Sequence, residues 1–162
     1  MTSPSPAPSD RLILDLRGNP GGLLDAGVDV AAPFLDGGLI LSERTAGGDR
    51  KDYTAPARGQ AAAAQIAILI DHGTASAAEI VAGALQDRGR ARLVGETSYG
   101  KGSVQRVHRL ADDSAIHVTY ARWYTPNGRQ LDGHGLAPDL PAPPLDGRDA
   151  PLDAAIGLLM EK

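Results

Sequence analysis

Short apolar runs alternate along this chain with stretches whose apolar positions recur at helical spacing. Leu12 to Leu16 reads as a short buried strand. The turn Asn19-Pro-Gly-Gly22 follows, with Pro fixing φ and Gly open to positive φ. Leu23 to Phe34 then reads as a helix, with Leu23, Leu24, Gly27, Val28, Ala31 and Ala32 on one side and Pro33 near its end. Leu39 to Leu41 is a second strand, and the β-branched run Ile66 to Ile70 a third. Ala77 to Asp87 is helical, with Ile80, Val81, Ala84 and Leu85 in one stripe, and Arg92 to Val94 is another buried strand. Ser103 to Leu110 and Ala115 to Tyr124 form a hairpin. The polar stretch Thr45 to Gln60 is a hairpin or loop around Lys51 to Tyr53. Pro138 to Pro144 is too proline-rich for a central strand, and Ala150 to Met160 reads as a terminal helix. Strands alternating with helices predict an α/β fold with a largely parallel sheet.

Composition narrows the function classes. The 162 residues suffice for one domain with its own core. Aromatics make up only 4%, so that core must be built from Ala, Val, Ile and Leu. The net charge is −4 with signs interspersed, and no Lys/Arg block marks a nucleic-acid face. No apolar run approaches the roughly 20 residues of a membrane helix. The absence of Cys excludes disulfides, thiol catalysis and Cys-ligated zinc. Residues 1–10 lack the basic and apolar regions of a signal peptide and read as a Pro/Ser-rich tail or linker. The expected organisation is that tail, a core over 11–145 and a helical extension over 146–162. The abrupt passage from tail to strand suggests a chain that begins partway through a larger design.

One serine stands out. Ser76 follows a buried strand and the turn Asp71-His-Gly-Thr-Ala75, and it opens a helix, as a nucleophile elbow does. The helix N-terminus brings partial positive charge and unpaired amides to the same place. Ser76 also reads as an ordinary helix N-cap. A serine nucleophile needs a base. None of His72, His108, His117 and His134 has a context that marks it as one. Lys101, between two glycines in Gly95-Glu-Thr-Ser-Tyr-Gly-Lys-Gly102, is the better candidate, because a lysine acts as a base only where burial favours its neutral form. An exposed loop lysine remains the plain alternative. The same loop approaches a phosphate-binding P-loop, but Gly102 stands where Ser or Thr belongs and a strand-like segment follows, so a nucleotide site is rejected. The amides of Asn19 to Gly22, with that of Ala77, could complete an oxyanion hole.

Five ordered blocks resemble the carboxyl-terminal processing peptidases, the tail-specific proteases of serine peptidase family S41. They are Leu14-Asp-Leu-Arg-Gly-Asn-Pro-Gly-Gly22, Gly73 through Asp87, Val94 through Gln105, Tyr124-Thr-Pro-Asn-Gly-Arg129 and Gly133-His-Gly-Leu-Ala-Pro-Asp139. The separation of Ser76 and Lys101 is also the family's. The resemblance implies a crotonase-like or ClpP-like core of mostly parallel strands flanked by helices, plus a β-hairpin. It implies Ser76 as nucleophile, Lys101 as base, Gln105 as the residue that orients the lysine, and an oxyanion hole from Ala77 and either Gly21 or Gly22. It implies cleavage near the C-terminus of proteins with small apolar ends, without metal or cofactor, outside the bacterial cytoplasm. The family's PDZ domain and leading strand and helix do not precede these blocks here, so a PDZ domain supplied elsewhere is the expected partner. Ala78 stands where members often carry Ser. An incomplete peptidase, and a non-catalytic binder of apolar ligands or peptides, are the competing readings.

Overall fold

The computed structural model describes residues 10–161, so most of the expected tail lies outside the described residues. Strands β1 (Arg11–Asp15), β4 (Gln65–Ile70), β5 (Ala91–Gly95) and β8 (Leu140–Pro141) form a parallel sheet in the order β1-β4-β5-β8. The proline-rich segment supplies only its two-residue margin, where a missing N–H costs nothing. A second sheet is antiparallel, in the order β3-β2-β7-β6, from β2 (Gly38–Thr45), β3 (Arg50–Ala55), β6 (Ser103–Arg109) and β7 (Ala115–Tyr124). The expected parallel sheet is therefore present, and the expected hairpin is half of a full second sheet.

Helix α2 (Ala77–Asp87) is the centre of the molecule. Every residue from Ala77 to Leu85 is buried, because both sheets and helix α1 (Leu24–Ala31) pack around it. That is why its small apolar residues continue beyond one stripe. β4 is buried on both faces. Ile66, Ile68 and Ile70 join the main core with α2, while Ala67 and Leu69 face Ala155 and Leu159 of helix α3 (Ala150–Met160). The antiparallel sheet closes the main core from the far side through Ile40, Leu41, Ala121 and Trp123.

Three elements differ from the sequence pattern. β2 runs on through Ser42-Glu-Arg-Thr45, because its backbone pairs with β3 on one side and β7 on the other whatever the side chains. Leu23 lies before helix α1 rather than on its inner face and is 78% exposed. Residues 32–34 leave the α-helix as a 3-10 turn at Pro33. No helix among the described residues is long and apolar enough to cross a membrane.

Candidate active site

Two loops at the C-terminal ends of β1 and β4 are cross-linked before any catalytic group is considered. Asp71 Oδ1 accepts from the amides of Gly18 and Gly73 at 2.8 and 2.9 Å. Thr74, fully buried, donates its hydroxyl to the Leu16 carbonyl, and the Ala75 amide donates to Asn19 O. These bonds fix the Asn19–Gly22 turn against Ser76. Gly21 is the point of contact, at φ +90°. A Cβ there would fall 2.5 Å from Ala75 O, 2.7 Å from Ala77 N and 2.8 Å from Ser76 Cβ. Only glycine permits that approach.

Ser76 stands at the helix entrance with φ +55° and ψ −119°. An N-cap serine ordinarily has extended backbone, so this strand-to-helix turn departs from a plain cap and has the strained form that a nucleophile elbow also takes. Few non-glycine residues hold such a conformation unless their surroundings impose it. Ser76 is half-buried, and Ala77 behind it is buried. The amides of Ala77 and Gly22 have no hydrogen-bond partner among the described residues, whereas Gly21 donates to Asn19 Oδ1 at 2.9 Å.

The loop between β5 and β6 brings Lys101 to the same place. Glu79, one turn into α2, is fully buried and accepts four hydrogen bonds. Its Oε2 takes the amides of Ser76 and Lys101 at 2.9 and 2.8 Å, and its Oε1 takes the Ser98 hydroxyl and the Gly100 amide at 2.5 and 2.7 Å. A buried carboxylate is tolerated only when its lone pairs are so occupied. The Lys101 carbonyl in turn accepts from Trp123 Nε1 at 3.0 Å, so both main-chain groups of this residue are held. A strand, not a helix, follows Lys101, which disposes of the P-loop reading.

Ser76, Lys101, Gln105 and Gly22 line one cavity of about 280 Å³, whose apolar wall includes Leu24, Ile80, Val104 and Trp123. A larger cavity of about 830 Å³ shares Lys101, Ser103 and Gln105 with it and is lined also by Pro20, Ala75, Tyr99 and Asp132. Gln105 is exposed, and its Nε2 donates to Thr119 Oγ1 at 3.3 Å. Of the histidines, His117 borders the smaller cavity and His72 the larger. His108 is exposed on β6, and the exposed His134 holds its Nδ1 2.9 Å from Asp132 O.

Glu79 was missed by the sequence reading, although Ser76-x-x-Glu79 has the spacing of a capping box, in which the third helical residue reaches back to the cap amide. Ser98 was missed as well. Its hydroxyl passes the Glu79 contact on to the Leu136 amide at 2.7 Å. The last two sequence blocks have structural tasks. Arg129 binds Gln86 and Asp87 at the end of α2, and Asp139 accepts the Leu93 amide at 2.7 Å. In the first block Arg17 forks between Asp15 and Asp149, with both carboxyls held below the usual range chiefly by its hydrogen bonds.

Comparison with known proteins gives the family and the fold. The model of peptidase family S41 matches residues 6–142. A carboxyl-terminal-processing protease of Synechocystis is 45% identical over 81% of this chain and 30% of its own length. One from Bartonella bacilliformis is 44% identical over 84% and 32%. A chloroplastic carboxyl-terminal-processing peptidase of Arabidopsis thaliana is 46% identical over 79% and 25%. The chain thus spans about a third or less of the curated relatives it matches. The solved photosystem II D1 C-terminal processing protease superposes with a TM-score of 0.78 at 37% identity, covering 94% of this chain and 39% of that one. The tricorn protease shares the fold at TM-score 0.68 and 21% identity, over 93% of this chain and 15% of that one. Matched over most of its length by the family model and by these relatives, the chain belongs to peptidase family S41.

Proposed function

We propose that this chain is the catalytic core of a serine endopeptidase that cuts near the C-terminus of proteins with small apolar ends, through an acyl-enzyme formed by Ser76 and Lys101. The observation that carries the reading is the strained backbone of Ser76, held beside two unpartnered amides and tied through Glu79 to the loop of Lys101.

The Lys101 amine takes the Ser76 proton as Oγ bonds to the peptide carbonyl carbon. The oxyanion accepts from the amides of Ala77 and Gly22. Gly21 is the weaker candidate, since its N–H is committed to Asn19. The C–N bond breaks, and the Lys101 ammonium protonates the leaving amine. Water then gives its proton to Lys101 and attacks the acyl carbon, and Ser76 recovers its proton as the C–Oγ bond breaks. Gln105 Nε2 is engaged by Thr119, which leaves its carbonyl oxygen to accept from the lysine and orient it. No step requires a metal or cofactor. The Leu24, Ile80, Val104 and Trp123 wall suits a small apolar side chain.

Because the relatives are longer, we assign capture of the substrate C-terminus to a PDZ domain outside this stretch, and an extracytoplasmic or lumenal site of action. The competing reading, a core inactive without the remainder of such a protein, is favoured by the same difference in length.

The test is incubation with an unstructured protein ending in apolar residues, followed by intact mass. The chain should shorten it, and Ser76→Ala and Lys101→Ala should not. Cleavage that survives either substitution overturns the pair. Labelling of Ser76 by a fluorophosphonate without any protein cleavage identifies the incomplete core.

A further inference from the structure

Arg122 on β7, Arg44 on β2 and Arg50 on β3 stand directly opposite one another across three neighbouring strands, and Ser103 on β6 continues the row. Ala121 and Trp123, on either side of Arg122, belong to the main core. Successive residues of a strand point to opposite faces, so the three guanidinium groups stand on the outer face of the sheet. All three residues are exposed. Like charges placed directly opposite destabilise a sheet. A chain of net charge −4 has no compositional need to stack them.

The ends of the row are partly neutralised and its centre is not. Arg50 Nε lies 2.7 Å from Asp52 Oδ1, and Arg122 Nε lies 3.9 Å from Asp132 Oδ2. The second contact is too long for a hydrogen bond. No carboxylate among the described residues forms an ion pair with Arg44. Its guanidinium lies 4.2 Å from the ring centroid of the half-buried Tyr124. Such a stack holds the group in place and leaves its N–H fork free to bind. Arg44 and Arg122 line a cavity of about 270 Å³ together with Thr45, Thr119, Tyr120 and Tyr124. Two guanidinium forks and nearby hydroxyls at one recess suit a carboxylate.

Ser103 and Asp132 also line the larger cavity beside Lys101. The row therefore starts at the rim of the candidate site and runs away from it across the sheet. Neighbouring strands are about 4.8 Å apart, so Arg122 to Arg50 spans about 10 Å, the length of about three extended residues.

We propose that the Arg122, Arg44 and Arg50 row is a docking site for a short Asp/Glu run in the protein substrate, outside the residues that occupy the two cavities. The proposal rests on the peptidase reading for the identity of the occupant. It adds to the selection of apolar ends a second requirement, for negative charge at a distance from the cut. It also makes substrate binding weaken as salt rises.

The binding arm of the experiment uses the unreactive Ser76→Ala chain with hexaglutamate and hexaglutamine peptides, read by NMR of the arginine Nε–Hε groups. Hexaglutamate should shift the Arg44 and Arg122 signals to saturation, hexaglutamine should not, and high salt should reverse the shift. Arg44→Gln should weaken the binding about tenfold. Arg122→Gln, which keeps the Tyr124 stack, should weaken it to a similar extent. The kinetic arm uses the otherwise native chain and two unstructured substrates with apolar ends, which differ only in carrying a glutamate or a glutamine run. The glutamate substrate should have a KM about tenfold lower. Arg44→Gln should erase that difference while leaving kcat and the KM of the glutamine substrate unchanged. Equal KM values in the parent, or hexaglutamate binding that ignores both substitutions, overturns the proposal. Sedimentation with phosphatidylglycerol vesicles without any response to hexaglutamate assigns the row to a membrane surface and overturns it too. Failure of a fluorophosphonate to label Ser76 in the unaltered chain sinks the peptidase reading instead, and the hexaglutamate result is read apart from it. In a core that is labelled but does not cleave, the binding arm decides alone.

Discussion

The main-chain amides of Ser76 and Lys101 converge on one atom, Oε2 of Glu79, at 2.9 and 2.8 Å. Two loops that are distant in sequence are thereby set at a fixed separation by a single buried carboxylate. Replacing Glu79 by Ala leaves three buried or half-buried amides without a partner and the buried Ser98 hydroxyl without an acceptor. The expected loss is about 3 kcal/mol or more, read as a lowered urea midpoint, together with loss of Ser76 labelling. Glu79→Gln should fall between the two, because either orientation of its amide turns an NH2 towards a backbone donor. A Gln variant as stable as the parent would show that the four contacts do not hold the loops.

The backbone at Ser76 supplies a second expectation that needs no substrate. With φ at +55°, an L-residue there is strained and glycine is not. Ser76→Gly should be more stable than Ser76→Ala by about 1 kcal/mol, measured by thermal or urea denaturation. Both variants should be catalytically dead. The opposite order of stability would mean that the helix entrance is relaxed.

Gly21 and Gly22 are adjacent but respond differently. A methyl at Gly21 meets Ala75 O, Ala77 N and Ser76 Cβ inside 3.0 Å, and φ is positive there. Gly21→Ala should therefore cost about 2 kcal/mol or more and displace the turn from Ser76. A methyl at Gly22 meets nothing within 4 Å, so Gly22→Ala should fold and label normally. Gly22→Pro removes the N–H assigned to the oxyanion and should lower kcat by about a hundredfold to a thousandfold. Full activity in Gly22→Pro would transfer that role elsewhere.

Arg17 joins the end of β1 to the cap of α3, with contacts of 2.7 Å to both Asp15 and Asp149. Its hydrogen bonds are the largest cause of the lowered pKa at each carboxyl. A carboxylate whose pKa falls on folding stabilises fully above its ordinary value near 3.9, and that contribution is lost as pH drops through the lowered value. Asp149→Asn should therefore be less stable than the parent at pH 7, with the gap narrowing as pH is taken below the ordinary carboxylate value. Thermal unfolding across that range checks it. A gap that persists at low pH would assign the loss to the helix cap on Leu152 instead.

The sequence pattern marked α2 from Ala77 to Asp87 as the structure has it, because a helix buried all round leaves an unbroken run of small apolar residues. It understated the second sheet. Arg50 to Ala55 is exposed along most of its length, so it carries no apolar alternation and is held as a strand by backbone pairing. Block order singled out Ser76, Lys101 and Gln105, and the three residues border one cavity. The difference between Gly21 and Gly22 was not legible, because it lies in which amide Asn19 engages. Nor was Glu79 singled out, since a glutamate in the first turn of a helix is ordinary until its burial is known.

At positions 76 and 101 Glu79 grips the main chain and not the side chains. Nothing in that clamp senses what hangs from position 76 or 101. A cysteine at the first or an arginine at the second would be presented at the same place and angle, on an unaltered frame. In this molecule the placement of positions 76 and 101 is settled by main chain alone, which makes the scaffold a jig that accepts other tools.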